Sequence, residues 1–184
     1  MTQTASPSTH TRTISYLALS VALMALCSWI SIPTTVPFTM QTFAIFAVLG
    51  LLGGKRGTLA ILCYLLIGCL GFPVFSGFRG GFAALLGNTG GYLMGFLLLG
   101  LLYWGMTKLF GTSLWVMATS MVLGLFLLYL FGSLWFMVLY ASNTGSIGFL
   151  SVLSLCVVPF VLPDLLKLSL ALLLVRRLTP HLHL

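Results

Sequence analysis

Long apolar segments with almost no charged residues set the strongest limit on how this chain can fold. The segment from Leu114 to Tyr140 contains no charged residue, and similar runs recur along the sequence. Of the 184 residues, 60% are hydrophobic and only 5% are charged. A bilayer core requires roughly 20 apolar residues for each helix that spans it. The sequence therefore predicts an all-α integral membrane protein rather than a water-soluble domain.

Prolines, glycines and polar residues divide the apolar sequence into six predicted helices. Two prolines follow the first helix, a GGKRG turn separates the second from the third, and Pro159 and Pro163 interrupt the last. The predicted helices cover residues 14–32, 39–52, 58–70, 92–109, 114–140 and 149–176. We expect one six-helix transmembrane domain at 14–178, between a polar N-terminal tail at 1–13 and a short C-terminal tail at 179–184.

The basic residues indicate how such a bundle is oriented in the membrane. Six spans place both termini on the same side. If that side is the cytoplasm, Arg79 is the only cation in an outer connection, as the positive-inside rule requires. The cytoplasmic cations are then Arg12, Lys55, Arg56, Lys108, Arg176 and Arg177. We therefore predict a multi-pass protein of the cytoplasmic (inner) membrane with both termini in the cytoplasm.

Asp164 is the only acidic residue of the chain, and it lies inside an apolar predicted helix. Lys167 follows at i, i+3 spacing, so the two side chains share one helix face. About 18 Å of helix separates Asp164 from Arg176, which places the carboxylate beyond the bilayer midplane, toward the outside. Intramembrane charges often mark a substrate path. The pair is a recognition site in an outward-opening pocket, an internal ion pair that neutralises both charges, or both at once.

The inventory of reactive side chains argues against several enzyme classes. A single carboxylate cannot form an acid–base pair, and no histidine lies in a predicted helix to activate a nucleophile or bind catalytic zinc. The four cysteines have no metal-ligand spacing, and the scattered basic residues form no nucleic-acid-binding pattern. We therefore expect no enzyme activity, no metal or cofactor, and no nucleic-acid partner.

Five short motifs together carry a resemblance to a known family. In chain order they are VPFTMQ, LLGGKRG, GFPVF, GNTGGYL and PDLLK. Over almost the whole chain they resemble the BioY family, the biotin-binding S components of energy-coupling factor (ECF) vitamin transporters. The resemblance implies biotin uptake through an outward-facing pocket in a six-helix bundle. It also implies an ECF transmembrane coupling protein and ATPase subunits as partners. An S component for another vitamin and a stand-alone biotin carrier remain alternatives.

The chemistry of biotin suggests roles for several residues in these motifs. Its ureido ring offers N–H donors to Asp164 and a carbonyl acceptor to Lys167 or Asn88. Phe75 and Tyr92 are expected to cover the apolar thioether ring, although ordinary packing is an equally good interpretation of both. Asn88 stands where the family pattern has proline, so it adds a polar group beside the predicted pocket.

The remaining predicted contacts concern the biotin carboxylate, the pocket wall and the partner surface. Arg79 is expected to bind the carboxylate, with Lys167 as the alternative ligand and a solvated loop charge as the alternative role for Arg79. The predicted substrate-binding set is completed by Thr39, Gln41, Gly90 and Gly91. The resemblance also assigns Ala18 and Ala22, four residues apart, to the contact with the coupling protein. Packing within the bundle is the alternative role for these alanines.

Overall fold

Within the described part of the chain, five helices are long and apolar enough to cross a membrane. The structure, a computed structural model, describes residues 9–34, 36–143 and 148–181. The five helices are α1 (Thr9–Trp29), α2 (Gln41–Cys69), α4 (Gly90–Phe110), α5 (Leu114–Asn143) and α7 (Val158–Leu178). The described residues also form α3 (Phe82–Leu86), α6 (Phe149–Cys156), β1 (Ser31–Ile32), β2 (Phe38–Thr39) and a 3-10 turn (Thr179–His181). The prediction of an all-α membrane protein is confirmed, apart from the small antiparallel ribbon of β1 and β2.

The α2 helix reverses direction at Gly53 and so forms a hairpin with arms at 41–52 and 54–69. Gly53 has φ 76° and ψ 171°, which interrupts the helix in a conformation that favours glycine. Gln41 Nε2 lies 2.8 Å from Tyr64 Oη, whereas a continuous helix would hold these residues about 35 Å apart. The turn agrees with the two predicted helices at 39–52 and 58–70. With α2 counted as one helix, the described residues contain five candidate membrane spans. The six transmembrane helices expected from the sequence therefore stay a prediction.

The last predicted helix, at 149–176, is two helices in the structure. Val157, with φ −126° and ψ −56°, separates α6 from α7. Pro159 lies at the start of α7, where the N–H that proline lacks has no intrahelical partner, and Pro163 lies inside the helix. The sequence predicted interruptions at the two prolines, but the break lies just ahead of both.

Helix boundaries differ from the sequence prediction by a few residues. The first helix begins at Thr9 rather than Ile14, so part of the predicted N-terminal tail is helical. The fifth extends to Asn143, into the predicted loop at 141–148. The other residues of the predicted tails and loop, 1–8, 144–147 and 182–184, lie outside the described residues.

Glycines hold α4 and α5 close together in an antiparallel pair. A Cβ at Gly132 of α5 would overlap the ring of Tyr92, and a Cβ at Gly91 of α4 would overlap Trp135. Small residues allow two membrane helices to approach closely, which replaces the hydrophobic driving force that is missing in lipid. The close contact fixes the ring of Tyr92 against α5.

Several basic residues gather at the end of the bundle that holds the α2 turn. Lys55, Arg56 and Lys108 line one groove there. A Cβ at Gly50 would lie 2.5 Å from Val175, which brings the end of α7 and the adjacent Arg176 to the same region. This distribution is what the positive-inside rule requires of one face of a membrane protein.

Candidate functional site

A cavity of about 580 Å³ lies at the end of the bundle away from these basic residues. Its wall is built from the first turns of α2 and α4, the middle of α5, the start of α7 and the segment 75–89. The volume falls in the range of pockets that enclose a small organic ligand. Apolar and polar residues contribute about equally to the lining, so it can both cover an apolar group and orient a ligand through hydrogen bonds.

Asp164 and Lys167 form a buried ion pair in the wall of this cavity. Lys167 Nζ lies 2.8 Å from Asp164 Oδ1, and the two residues are only 3% and 5% exposed. The i, i+3 spacing predicted this contact, since both residues lie on one face of α7. A buried charge must be paired and hydrogen-bonded to be tolerated.

Two residues that the sequence did not single out complete the coordination of Asp164. Thr42 donates a 2.8 Å hydrogen bond to Oδ1, and Tyr129 donates a 2.6 Å bond to Oδ2. Thr42 belongs to α2 and Tyr129 to α5, so the carboxylate is held by three helices. These residues lie 122 and 35 positions away in sequence. No local motif marks either of them.

Lys167 uses its hydrogen-bonding capacity within the protein. Its Nζ donates to Asp164 Oδ1 at 2.8 Å, Thr39 O at 2.6 Å and Thr42 Oγ1 at 3.2 Å. It also lies 4.1 Å from the ring centroid of Phe38. An ammonium has three N–H donors, so all three are engaged. In contrast, Oδ2 of Asp164 accepts only the hydrogen bond from Tyr129 and retains a lone pair for another donor. The carboxylate is therefore better placed than the ammonium to bind a further group.

A second chain of hydrogen bonds ties the cavity wall to the loop after α2. Gln41 Nε2 donates to Tyr64 Oη at 2.8 Å, and Tyr64 Oη donates to Val74 O at 2.8 Å. Ser28 Oγ of α1 also donates to Val74 O, at 2.6 Å. Gln41 thereby fixes the start of the segment that carries Phe75.

The cavity brings together every predicted substrate contact except Gly90 and Gly91. The predicted residues in its lining are Thr39, Gln41, Phe75, Arg79, Asn88, Tyr92, Asp164 and Lys167. A Cβ at Gly90 would overlap the carbonyl oxygen of Leu85, and one at Gly91 would overlap Trp135. Both glycines are needed for close packing around the start of α4.

A short backbone bridge places Arg79 at the mouth of the cavity. Phe75 N donates to Arg79 O at 2.9 Å, and Arg79 N donates to Phe75 O at 3.3 Å. The Arg79 side chain is exposed, whereas Phe75 is 2% exposed and packs edge-to-face on Tyr64 with 5.5 Å between ring centroids. Asn88 is exposed in the turn before α4. Arg79 and Asn88 are therefore the polar groups with the freest access to a ligand.

The predicted partner residues lie on a different surface. Ala18 and Ala22 are both exposed on α1. Their side chains do not pack inside this chain. An exposed small-xxx-small pair leaves room for the close approach of another membrane helix.

Comparison with known proteins connects this arrangement with a transporter family. The BioY family model matches residues 1–183. The biotin transporter BioY of Thermotoga maritima is 41% identical over 160 residues, which cover 85% of this chain and 89% of that protein. The probable biotin transporter BioY of Pyrococcus horikoshii is 36% identical over 170 residues, which cover 90% of this chain and 94% of that protein.

A crystal structure of the S component for biotin from an ECF-type ABC transporter has the same fold. The TM-score is 0.80 and the identity 29%, with 97% of this chain and 94% of that chain covered. These relatives are transporters rather than enzymes, in agreement with the prediction from the side-chain inventory. The family model spans nearly all of the sequence, and the fold agrees over the same length. The protein is a multi-pass membrane protein that belongs to the BioY family.

Proposed function

We propose that this protein is the substrate-binding S component of an ECF transporter and that its ligand is biotin. The observation that carries the proposal is the buried Asp164 cluster in the wall of a ligand-sized cavity within membrane helices. Such a charge is costly in a membrane, and pathways for polar substrates are where it is usually found. Biotin is the proposed ligand because the chain is similar to a biotin transporter and to an S component for biotin.

The available hydrogen-bonding groups favour particular contacts with biotin. The free lone pair of Asp164 Oδ2 suits a ureido N–H. The ureido carbonyl needs a donor, and the amide of Asn88 is accessible, whereas the donors of Lys167 are engaged. Arg79, exposed at the cavity mouth, suits the valerate carboxylate. These assignments favour Asn88 and Arg79 over Lys167 for the two biotin groups that accept hydrogen bonds.

The apolar part of biotin requires an apolar wall. Tyr92, Phe96 and Phe160 all line the cavity. The hydroxyl of Tyr92 is held 3.3 Å from Ser133 Oγ, so its ring is fixed in position. Thr39 and Gln41 complete the wall beside Lys167, where both are tied into the protein's own hydrogen bonds.

The proposed topology has six spans, with the two α2 arms counted separately, both termini in the cytoplasm and the cavity facing outward. The exposed cations at the opposite end support this orientation. The energy for uptake would come from a transmembrane coupling protein and ATPase subunits, since the sequence contains no phosphate-binding loop. The exposed Ala18 and Ala22 face is the proposed contact with the coupling protein in the inner membrane.

Binding of radiolabelled biotin to the purified protein tests the proposal directly. We expect tight, saturable binding that excess unlabelled biotin displaces and that thiamine and riboflavin do not. Binding of another vitamin in place of biotin would assign the protein to a different substrate. Uptake by a biotin-auxotrophic host, measured with and without a coexpressed coupling module, distinguishes the S component from a stand-alone carrier. Equal uptake in both hosts would contradict the need for the module.

A further inference from the structure

A second depression lies at the other end of the bundle, between the α2 turn and the end of α4. This basic groove has a volume of about 380 Å³ and is lined by residues 52–56, Trp104, Thr107 and Lys108. Its base is a close helix contact, since a Cβ at Gly54 would lie 2.5 Å from the Cα of Trp104. The groove is therefore a feature of packed helices rather than of a loose loop.

The cations of the basic groove, Lys55, Arg56 and Lys108, have no nearby acidic side chain to neutralise them. The only acidic residue is Asp164, which pairs with Lys167 in the wall of the distant cavity. Lys108 lies in the last turn of α4, where the helix dipole favours a cation. Lys55 and Arg56 instead follow the break at the α2 turn, in the first turn of the second arm, where the dipole disfavours positive charge. The groove thus favours an anion from outside the chain.

Apolar side chains continue from the basic groove along the outside of the same two helices. Leu59 of α2 is 44% exposed and Leu101 of α4 is 47% exposed, and Trp104, which lines the groove, is also exposed. A soluble anion would use the cations alone, whereas a lipid would also cover these apolar groups. Basic pockets between membrane helices are typical sites for anionic headgroups. We propose that the basic groove binds the phosphate headgroup of an anionic phospholipid, with the acyl chains lying over the adjacent leucines.

Native mass spectrometry of the full-length protein in detergent tests this proposal, with phosphatidylglycerol and phosphatidylcholine as probes. The test variant is K55Q/R56Q/K108Q. The matched control, R176Q/R177Q, removes exposed cations from the same end of the bundle but outside the groove. We expect the protein to prefer phosphatidylglycerol and the test variant to bind it on the order of 100-fold more weakly. Binding by the control variant should change by less than about threefold, because neither Arg176 nor Arg177 lines the groove.

Three results would overturn the proposal. An equal loss of binding in the test and control variants would show attraction to overall charge rather than to a site. Equal binding of the two lipids would show that the groove does not select an anionic headgroup. Displacement of phosphatidylglycerol by millimolar inorganic phosphate would assign the groove to a soluble anion.

Two further checks address whether the groove instead contacts a protein partner and whether the test variant folds. The test variant could lose transport although the unmodified protein retains no phosphatidylglycerol. That result would assign the groove to a protein contact and overturn the proposal. If the test variant does not elute as a monodisperse helical protein, Lys108→Gln replaces it. We then expect roughly fivefold weaker binding of phosphatidylglycerol, and unchanged binding would overturn the proposal.

Discussion

Tyr129 of α5 donates a 2.6 Å hydrogen bond to Asp164 Oδ2 of α7, at the wall of the large cavity. The other carboxylate oxygen pairs with Lys167 and accepts a bond from Thr42 of α2. The two interpretations of the Asp164–Lys167 pair are therefore compatible. One oxygen neutralises the ammonium, and the other keeps capacity for a further donor.

Asp164→Asn is expected to weaken biotin binding and to destabilise the fold. The loss of a charge-assisted hydrogen bond should cost about 1–3 kcal/mol of binding free energy. Stability should fall by about 3–5 kcal/mol, because Lys167 would stay buried without its counter-charge. Titration with labelled biotin and thermal unfolding in detergent measure the two effects separately. Normal affinity together with a lower Tm would show that the pair is structural only.

The double variant D164N/K167M separates these two roles further. Removal of both charges takes away the uncompensated ammonium, so we expect most of the lost stability to return. Biotin binding should remain weak, because the carboxylate acceptor is still missing. Recovery of binding along with stability would argue against direct recognition by Asp164.

Tyr129→Phe is expected to weaken biotin binding by about 1 kcal/mol, roughly fivefold, with a small change in Tm. The substitution keeps the ring and removes only the donor that positions Asp164 Oδ2. Tyr140→Phe is the matched control, since Tyr140 belongs to the same helix, stacks on Phe136 and lies outside the cavity lining. An equal effect of both substitutions on binding would exclude a specific role for Tyr129.

Arg79→Gln is expected to weaken binding of biotin but not of biotinamide, its neutral analogue. The exposed guanidinium should contribute about 1 kcal/mol to binding of the carboxylate, since solvent screens such a pair. Competition of each compound against labelled biotin gives the two affinities for both proteins. A similar loss for both compounds would mean that Arg79 shapes the cavity mouth without contacting the carboxylate.

Gly132→Ala is expected to lower both Tm and biotin affinity. The added Cβ would overlap the ring of Tyr92, which must move within the cavity wall, and overpacking of this kind costs about 1–3 kcal/mol. Gly105→Ala is the control, because the added Cβ would meet no atom within 4 Å beyond the adjacent backbone of its own helix. That substitution should leave binding unchanged and stability equal or slightly higher. Normal binding by Gly132→Ala would show that the Tyr92 ring does not contact the ligand.

Replacement of Ala18 and Ala22 by tryptophan is expected to abolish module-dependent uptake while biotin binding stays normal. Both residues are exposed, so the larger side chains fit this chain but would block close approach by another helix. Leu123→Trp on α5 is a control at an exposed apolar position. Uptake assays with the coupling module, paired with binding to the purified protein, separate coupling from recognition. Normal uptake by the alanine variant would place the partner surface elsewhere.

The sequence alone determined the membrane class, the approximate helices and the contact between Asp164 and Lys167. Each follows from local properties: the length of an apolar run, the prolines and glycines that end it, and a spacing within one helical turn. Eight of the ten residues predicted to contact the substrate lie in the cavity lining, from Thr39 to Lys167.

Only the tertiary structure decided how the carboxylate is coordinated and which glycines serve packing. Thr42 and Tyr129 meet Asp164 because three helices converge there, and a single threonine or tyrosine in an apolar segment gives no local sign of that contact. Gly90 and Gly91 pack against other elements rather than line the cavity. Distant side chains and close helix contacts depend on how helices pack, and that packing is not encoded in any one segment.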